Sequence, residues 1–84
     1  MSQTAEAQDE GPHQFIQRNY QDLEVWLGQH GWFEVFREEK PFNTLVTERS
    51  CTYLSPMGLV LYVEYHITGT GGDMTGIVKA ISTE

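Results

Sequence analysis

Basic residues are scarce in this chain. Five lysines and arginines stand against twelve aspartates and glutamates, giving a formal charge of −7 over 84 residues. Phosphate contacts supply most non-specific nucleic-acid affinity, and an acidic domain is repelled by them. DNA or RNA is therefore not the expected partner. The acidity suits a basic protein surface, mimicry of nucleic acid toward a DNA-binding protein, or plain solubility. Cysteine is scarcer still. Cys51 stands alone, which excludes an intrachain disulfide and fits a reducing compartment.

No apolar run approaches the roughly 20 residues that span a bilayer. The opening stretch MSQTAEAQDEG has neither the basic nor the apolar segment of a secretory signal, so a cytoplasmic protein is expected. Residues 1–11 are small, polar and acidic, carrying Glu6, Asp9 and Glu10, and read as a disordered tail. The remainder, 12–84, reads as one small domain. Aromatic residues make up 12% of the chain, enough large rings to build a core in so short a sequence.

The stretch GPHQFIQRNYQDLEVWLGQHG, 11–31, predicts one helix. Pro12 suits its first position. Phe15, Ile16, Tyr20, Leu23, Trp26 and Leu27 recur at spacings of three and four, and Gly28 or Gly31 can close it. WFEVFRE, 32–38, is β-prone, and EKPFN reads as a turn because Pro41 cannot pair inside a central ladder. TLVTERSCTYL, 44–54, is a second strand, and SPMG, 55–58, a turn with proline second. LVLYVEYHI, 59–67, alternates most clearly, and TGIVKAIS, 75–82, follows the glycine-rich TGTGGD. Helix, then four strands on short turns, predicts an α+β fold in two layers, α-β-β-β-β, with one helix on an antiparallel meander sheet.

Two registers can be tested on paper. Pairing Ile67 with Met74 sets Tyr65 against Gly76, Val63 against Val78, Leu61 against Ala80 and Leu59 against Ser82, an almost wholly apolar face. Pairing Ser55 with Gly58 sets Arg49 against Glu64 and Cys51 against Tyr62. That second register sends Glu48, Ser50 and Thr52 toward the helix, where they make poor core, so either strand two is an edge there or a bulge shifts it. The face away from the helix would then carry Tyr53, Val60, Tyr62, Glu64, His66, Ile77, Lys79 and Ile81, with Cys51 and Arg49. Aromatic surface ringed by charge resembles an interface composition.

Catalytic motifs are missing. The histidines are His13, His30 and His66, and no HxxxH, CxxC or HExxH spacing occurs, so no metal or other cofactor is predicted. Cys51, Glu64 and His66 can be drawn as a nucleophile set, but the register separates Cys51 from His66 by about 13 Å. GTGGD has no Lys and leads into a strand, unlike a phosphate loop. No catalytic residue is assigned, and the chain is not read as an enzyme. The sequence is best read as a small acidic protein–protein interaction module, an adaptor, inhibitor or regulatory subunit. It would act through the face just named, toward a protein partner or as a homodimer. The alternative is a small-ligand binder with a pocket near Trp26, Trp32 and His66. Bases stacking on Tyr53 and Tyr62 would be a third reading, opposed by net charge.

Overall fold

The computed structural model describes residues 11–69 and 74–83. The expected acidic tail lies outside these residues apart from Gly11, and so does most of the TGTGGD turn. Four antiparallel strands follow one helix: β1 Phe33–Pro41, β2 Val46–Leu54, β3 Val60–Thr68 and β4 Thr75–Thr83, in the order β1-β2-β3-β4. The predicted α+β meander is the fold. No helix among the described residues is long and apolar enough to cross a membrane.

The N-terminal segment departs from the single helix expected over 11–31. Pro12–Phe15 forms a 3-10 turn, and the α-helix, α1, spans Tyr20–Gln29. Between them the chain runs along the outer edge of β4. Gln17 N donates to Val78 O at 2.7 Å, and Val78 N donates to Arg18 O at 2.9 Å. Gln17 adopts φ +69°, a region that non-glycine residues rarely enter. Edge pairing overrides the helical period of Phe15 and Ile16. The true start of the helix is Asn19, whose side chain accepts from Gln21 N at 2.7 Å, as Asn does at an N-cap. Gly31, at φ +82°, ends it, with Trp32 N donating to Leu27 O and Gly31 N to Gly28 O, the paired bonds of a Schellman stop.

The helix packs on one face of the sheet. Tyr20, Leu23 and Leu27 meet Cys51, Tyr53, Leu61, Val63, Tyr65, Ile67, Val78 and Ile81 in the core. Burying each of the aliphatic side chains contributes roughly 1.5–3 kcal/mol.

The β2–β3 register differs by one residue from the Ser55–Gly58 pairing. Leu54 faces Val60, Cys51 faces Val63 and Arg49 faces Tyr65. The cause is the turn. Ser55 N donates to Leu59 O and Gly58 N to Ser55 O, so Pro56, Met57 and Gly58 form a three-residue loop whose last residue, Gly58, has φ +87°. A tight turn followed by a left-handed glycine is a recognised hairpin closure. One extra residue turns every side chain of β2 over. Arg49, Cys51 and Tyr53 therefore point toward the helix, and Glu48, Ser50 and Thr52 away from it.

The β3–β4 register is corrected twice. Ile67 faces Gly76 and Tyr65 faces Val78, two residues from the Ile67–Met74 pairing, which leaves the faces unchanged. An irregularity then intervenes: Tyr65 faces Val78 while Glu64 faces Ala80, so Lys79 is the extra residue of a bulge. Past it the faces exchange. Ile81 enters the core opposite Val63, and Ala80 and Ser82 turn outward.

Two glycines separate backbone strain from helix propensity. At Gly58 and at Gly28 an added Cβ meets nothing within 4 Å, but only Gly58 has positive φ. Gly58→Ala should lower stability by about 1–2 kcal/mol. Gly28→Ala, inside α1, should raise it by about 0.5–1 kcal/mol. Urea midpoints at unchanged slope check both. Equal shifts of the same sign would contradict the three-residue turn.

Candidate functional site

The sheet face away from α1 has no covering element among the described residues, and the register settles what stands on it. Cross-strand rows run Phe33–Leu54–Val60, Phe36–Thr52–Tyr62–Ser82, Glu38–Ser50–Glu64–Ala80 and Lys40–Glu48–His66–Ile77. The first two rows form an apolar end. Phe33 and Phe36 are 53% and 59% exposed, and Tyr62 is 42% exposed. In strict alternation Phe33 and Phe36 would sit on opposite faces. The irregularity between Glu34 and Phe36 inserts Val35 and brings both rings to the same side.

The third row is acidic. Glu38 and Glu64 lie two strands apart, about 10 Å at the usual strand spacing. Neither carboxylate has an ion-pair partner among the described residues, unlike the pairs of the fourth row. There Lys40 Nζ stands 3.7 Å from Glu48 Oε1, and His66 Nε2 stands 3.5 Å from Glu48 Oε2. The Phe42 ring lies 4.5 Å from the His66 ring.

Six of the eight partner-binding residues expected from sequence fall on or beside this open face: Val60, Tyr62, Glu64, His66 and Ile77 on it, and Lys79 at the bulge. Tyr53 and Ile81 do not. Both are buried on the helix side, 5% and 9% exposed, because the Gly58 and Lys79 insertions turn them inward. Cys51 and Arg49 move with them. The sequence reading missed Phe33, Phe36, Leu54 and Glu38. No sequence signal marked them: the rings of the FEVF run lie three apart, and only the insertion of Val35, which the pattern does not show, brings them to one face.

The helix side carries a different chemistry. Arg49 is nearly buried and reaches carboxylates on two elements: Nε donates to Glu39 Oε2 at 2.5 Å, and Nη1 lies 4.0 Å from Glu24 Oε2 of α1. Arg37 makes two bonds to Glu34, at 2.9 and 3.1 Å. The hydrogen bond to Glu34 holds the guanidinium charge more firmly than usual. Burial pushes the Cys51 thiol above its ordinary range, and the nearby Glu34 adds to this. Its Sγ lies 3.9 Å from Glu34 Oε1. A protonated thiol is a poor nucleophile. Cys51 and the pair Glu64 and His66 stand on opposite faces of the sheet.

Below this lies a pair of phenols. Tyr53 and Tyr65 share a 2.6 Å hydrogen bond between their hydroxyls, and Tyr65 also meets the Tyr20 ring edge-on at 5.9 Å. Burial raises both phenols well above the ordinary range, and their mutual bond adds to the rise of Tyr53.

The residues of the expected ligand pocket are not brought together. Trp26 stacks on His30 at 4.0 Å and packs against Phe15. Trp32 lines a groove of 340 Å³ with Pro12, His13, Leu59, Val60 and Thr83. His66 lines another, with Asn19, Val46 and Ile77. Among the described residues no three His, Cys, Asp or Glu side chains gather as a metal site.

The phenol pair predicts an alkaline limb. A tyrosine ionises near pH 10 when unfolded, and in the fold later. The pair therefore contributes stability that is complete below pH 10 and is lost as pH rises beyond it. Between pH 9 and pH 11, wild-type stability should fall more steeply than that of the Tyr53→Phe, Tyr65→Phe double variant, measured by urea unfolding. Parallel slopes would show that the hydroxyls do not titrate this way.

Comparison of the chain with protein-family models, curated proteins and solved structures finds no match, so the reading of its function rests on the geometry of the open face.

Proposed function

We propose that this protein is a small protein-binding module, of the adaptor, inhibitor or regulatory kind, whose partner docks on the open face of the sheet. The observation that carries the reading is the composition of that face. Phe33, Phe36, Leu54, Val60 and Tyr62 adjoin one another at one end, and Glu38 and Glu64, carboxylates without an ion-pair partner among the described residues, lie directly beside them. Aromatic residues dominate binding energetics at interfaces, and charges at the margin steer encounter and select the partner. A complementary partner would set apolar side chains on the rings and lysine or arginine against the two glutamates. The chain's charge of −7 favours the same choice at longer range. A nucleic acid would meet carboxylates where it needs cations.

The test uses a variant confined to β3. Tyr62→Ala with Glu64→Lys removes one ring and reverses one charge on an exposed surface, and should leave the circular dichroism spectrum and melting temperature nearly unchanged. Cross-linking in the native cell should capture a partner with the wild-type chain and lose it with the variant. The affinity of the purified pair should fall about a hundredfold or more, as loss of a central aromatic and an ion pair implies. A partner bound equally by both chains would remove this face from consideration.

A further inference from the structure

The two edges of the sheet are not alike. Residues 16–19 cap the outer edge of β4 at Ile77 and Val78, through the Gln17–Val78 and Val78–Arg18 hydrogen bonds and a further bridge from Asn19 to Ile77. Among the described residues nothing pairs with the outer edge of β1. All nine of its residues are exposed, including Phe33, Val35 and Phe36, each more than half. An exposed edge strand is a template for another strand. Its charges are almost balanced: Glu34, Glu38 and Glu39 against Arg37 and Lys40. The chain's surplus of acid lies elsewhere.

We infer that a second copy of this chain pairs antiparallel along the free edge of β1, about a two-fold axis at Glu38, to make one continuous eight-stranded sheet. A closed dimer is isologous, so β1 must pair with itself. Residues opposite each other in such a pair share a face. On the open face stand Phe33, Phe36, Glu38 and Lys40, and on the helix face Glu34, Arg37, Glu39 and Pro41, with Val35 as the inserted residue. That parity leaves two registers of nearly full overlap.

Charge decides between them. An axis at Arg37 sets Arg37 against Arg37 and Glu34 against Glu39 twice, so all its charge–charge contacts are repulsive. An axis at Glu38 sets Arg37 against Glu39 twice and Phe36 against Lys40 twice, and leaves Glu38 against Glu38 as the one like pair. Opposite charges across strands are favourable and like charges unfavourable. A lysine–phenylalanine contact occurs in both registers, Phe33 with Lys40 about Arg37 and Phe36 with Lys40 about Glu38, so the charge pairs decide. The strand is complementary to itself in this register. The inference does not rest on the docking of a partner, since the seam is the backbone edge of β1, but Phe36 and Glu38 border both surfaces.

Sedimentation equilibrium of the full chain from micromolar to sub-millimolar concentration should give twice the chain mass at the upper end. In a Cys51→Ala background, Glu38→Cys should form an intermolecular disulfide under mild oxidation. Facing Cα atoms lie about 4.5–5.5 Å apart, within disulfide range. Arg37→Cys, off the axis, should not cross-link. Phe36→Lys, which sets lysine against Lys40 of the second copy, should weaken association about tenfold or more. A monomer throughout, preferential cross-linking through Arg37→Cys, or a dimer indifferent to Phe36→Lys would each overturn the inference. A dimer lost in Tyr62→Ala, Glu64→Lys and showing no Glu38→Cys disulfide would assign self-association to the open face instead.

Discussion

The turn Ser55–Leu59 decides which half of β2 is inside the protein. Ser55 anchors it twice, through backbone bonds to Gly58 and Leu59 and through a hydroxyl that accepts from Met57 N and Leu59 N at 3.2 and 3.0 Å. With Gly58 as an inserted left-handed residue, Tyr53, Cys51 and Arg49 lie under the helix. With a two-residue turn, Thr52, Ser50 and Glu48 would lie there, and the buried side would hold two hydroxyls and a carboxylate in place of two apolar surfaces and the guanidinium of Arg49, which is paired with Glu24 and Glu39. Burying an unpaired carboxylate costs several kcal/mol, whereas adding one glycine to a surface turn costs little. That difference selects the three-residue turn.

With that choice made, the helix side becomes a core with a polar margin. A ten-residue helix is about 15 Å long and 10 Å across, while four strands at their usual spacing extend over more than that. α1 lies closest to β4 and reaches β3 through the Tyr20–Tyr65 rings and β2 through Glu24 and Arg49, while every residue of β1 is exposed. The margin between them is bridged by charge. Arg49 ties Glu24 of the helix to Glu39 of β1, and Arg37 clasps Glu34 across the Val35 insertion. Every buried side-chain nitrogen and oxygen among the described residues has a partner. The exposure of β1 is thus a consequence of helix size, and the surface argued to bind lies where that coverage ends.

The elements themselves were legible from the sequence, because their signals are long and periodic. LVLYVEYHI alternates without a break, and Tyr20, Leu23 and Leu27 repeat as one helical stripe. The faces were not legible, because each depends on a single inserted residue. Gly58, Lys79 and Val35 each shift the parity of a strand, and neither Lys79 nor Val35 announces itself, since a bulge is a tertiary adjustment and not a propensity. Glycine after a proline-containing turn was the readable signal. The poor core implied by Glu48, Ser50 and Thr52 was the reason to read it. Asn19 was a readable helix start, but the stronger period through Phe15 and Ile16 concealed it. Of the residues expected on the open face, those on β3 stand there because β3 is the reference for both hairpins. Tyr53 and Ile81 each lay beyond an insertion.

The broken N-terminal helix also explains why, among the described residues, the edge of β4 is capped and that of β1 is not. Had the helix begun at Pro12, residues 16–19 would have bonded within it, and the edge of β4 would have been as free as that of β1. Instead four residues leave the helical path, with Gln17 at positive φ, and the Gln17 N–H and the Arg18 carbonyl go to Val78. Such strain is retained when the surrounding contacts repay it. Here the return is an edge capped at Ile77 and Val78. A cap of this kind blunts the β4 edge against strand addition, whereas the β1 edge, uncapped among the described residues, can meet a second copy about a two-fold axis.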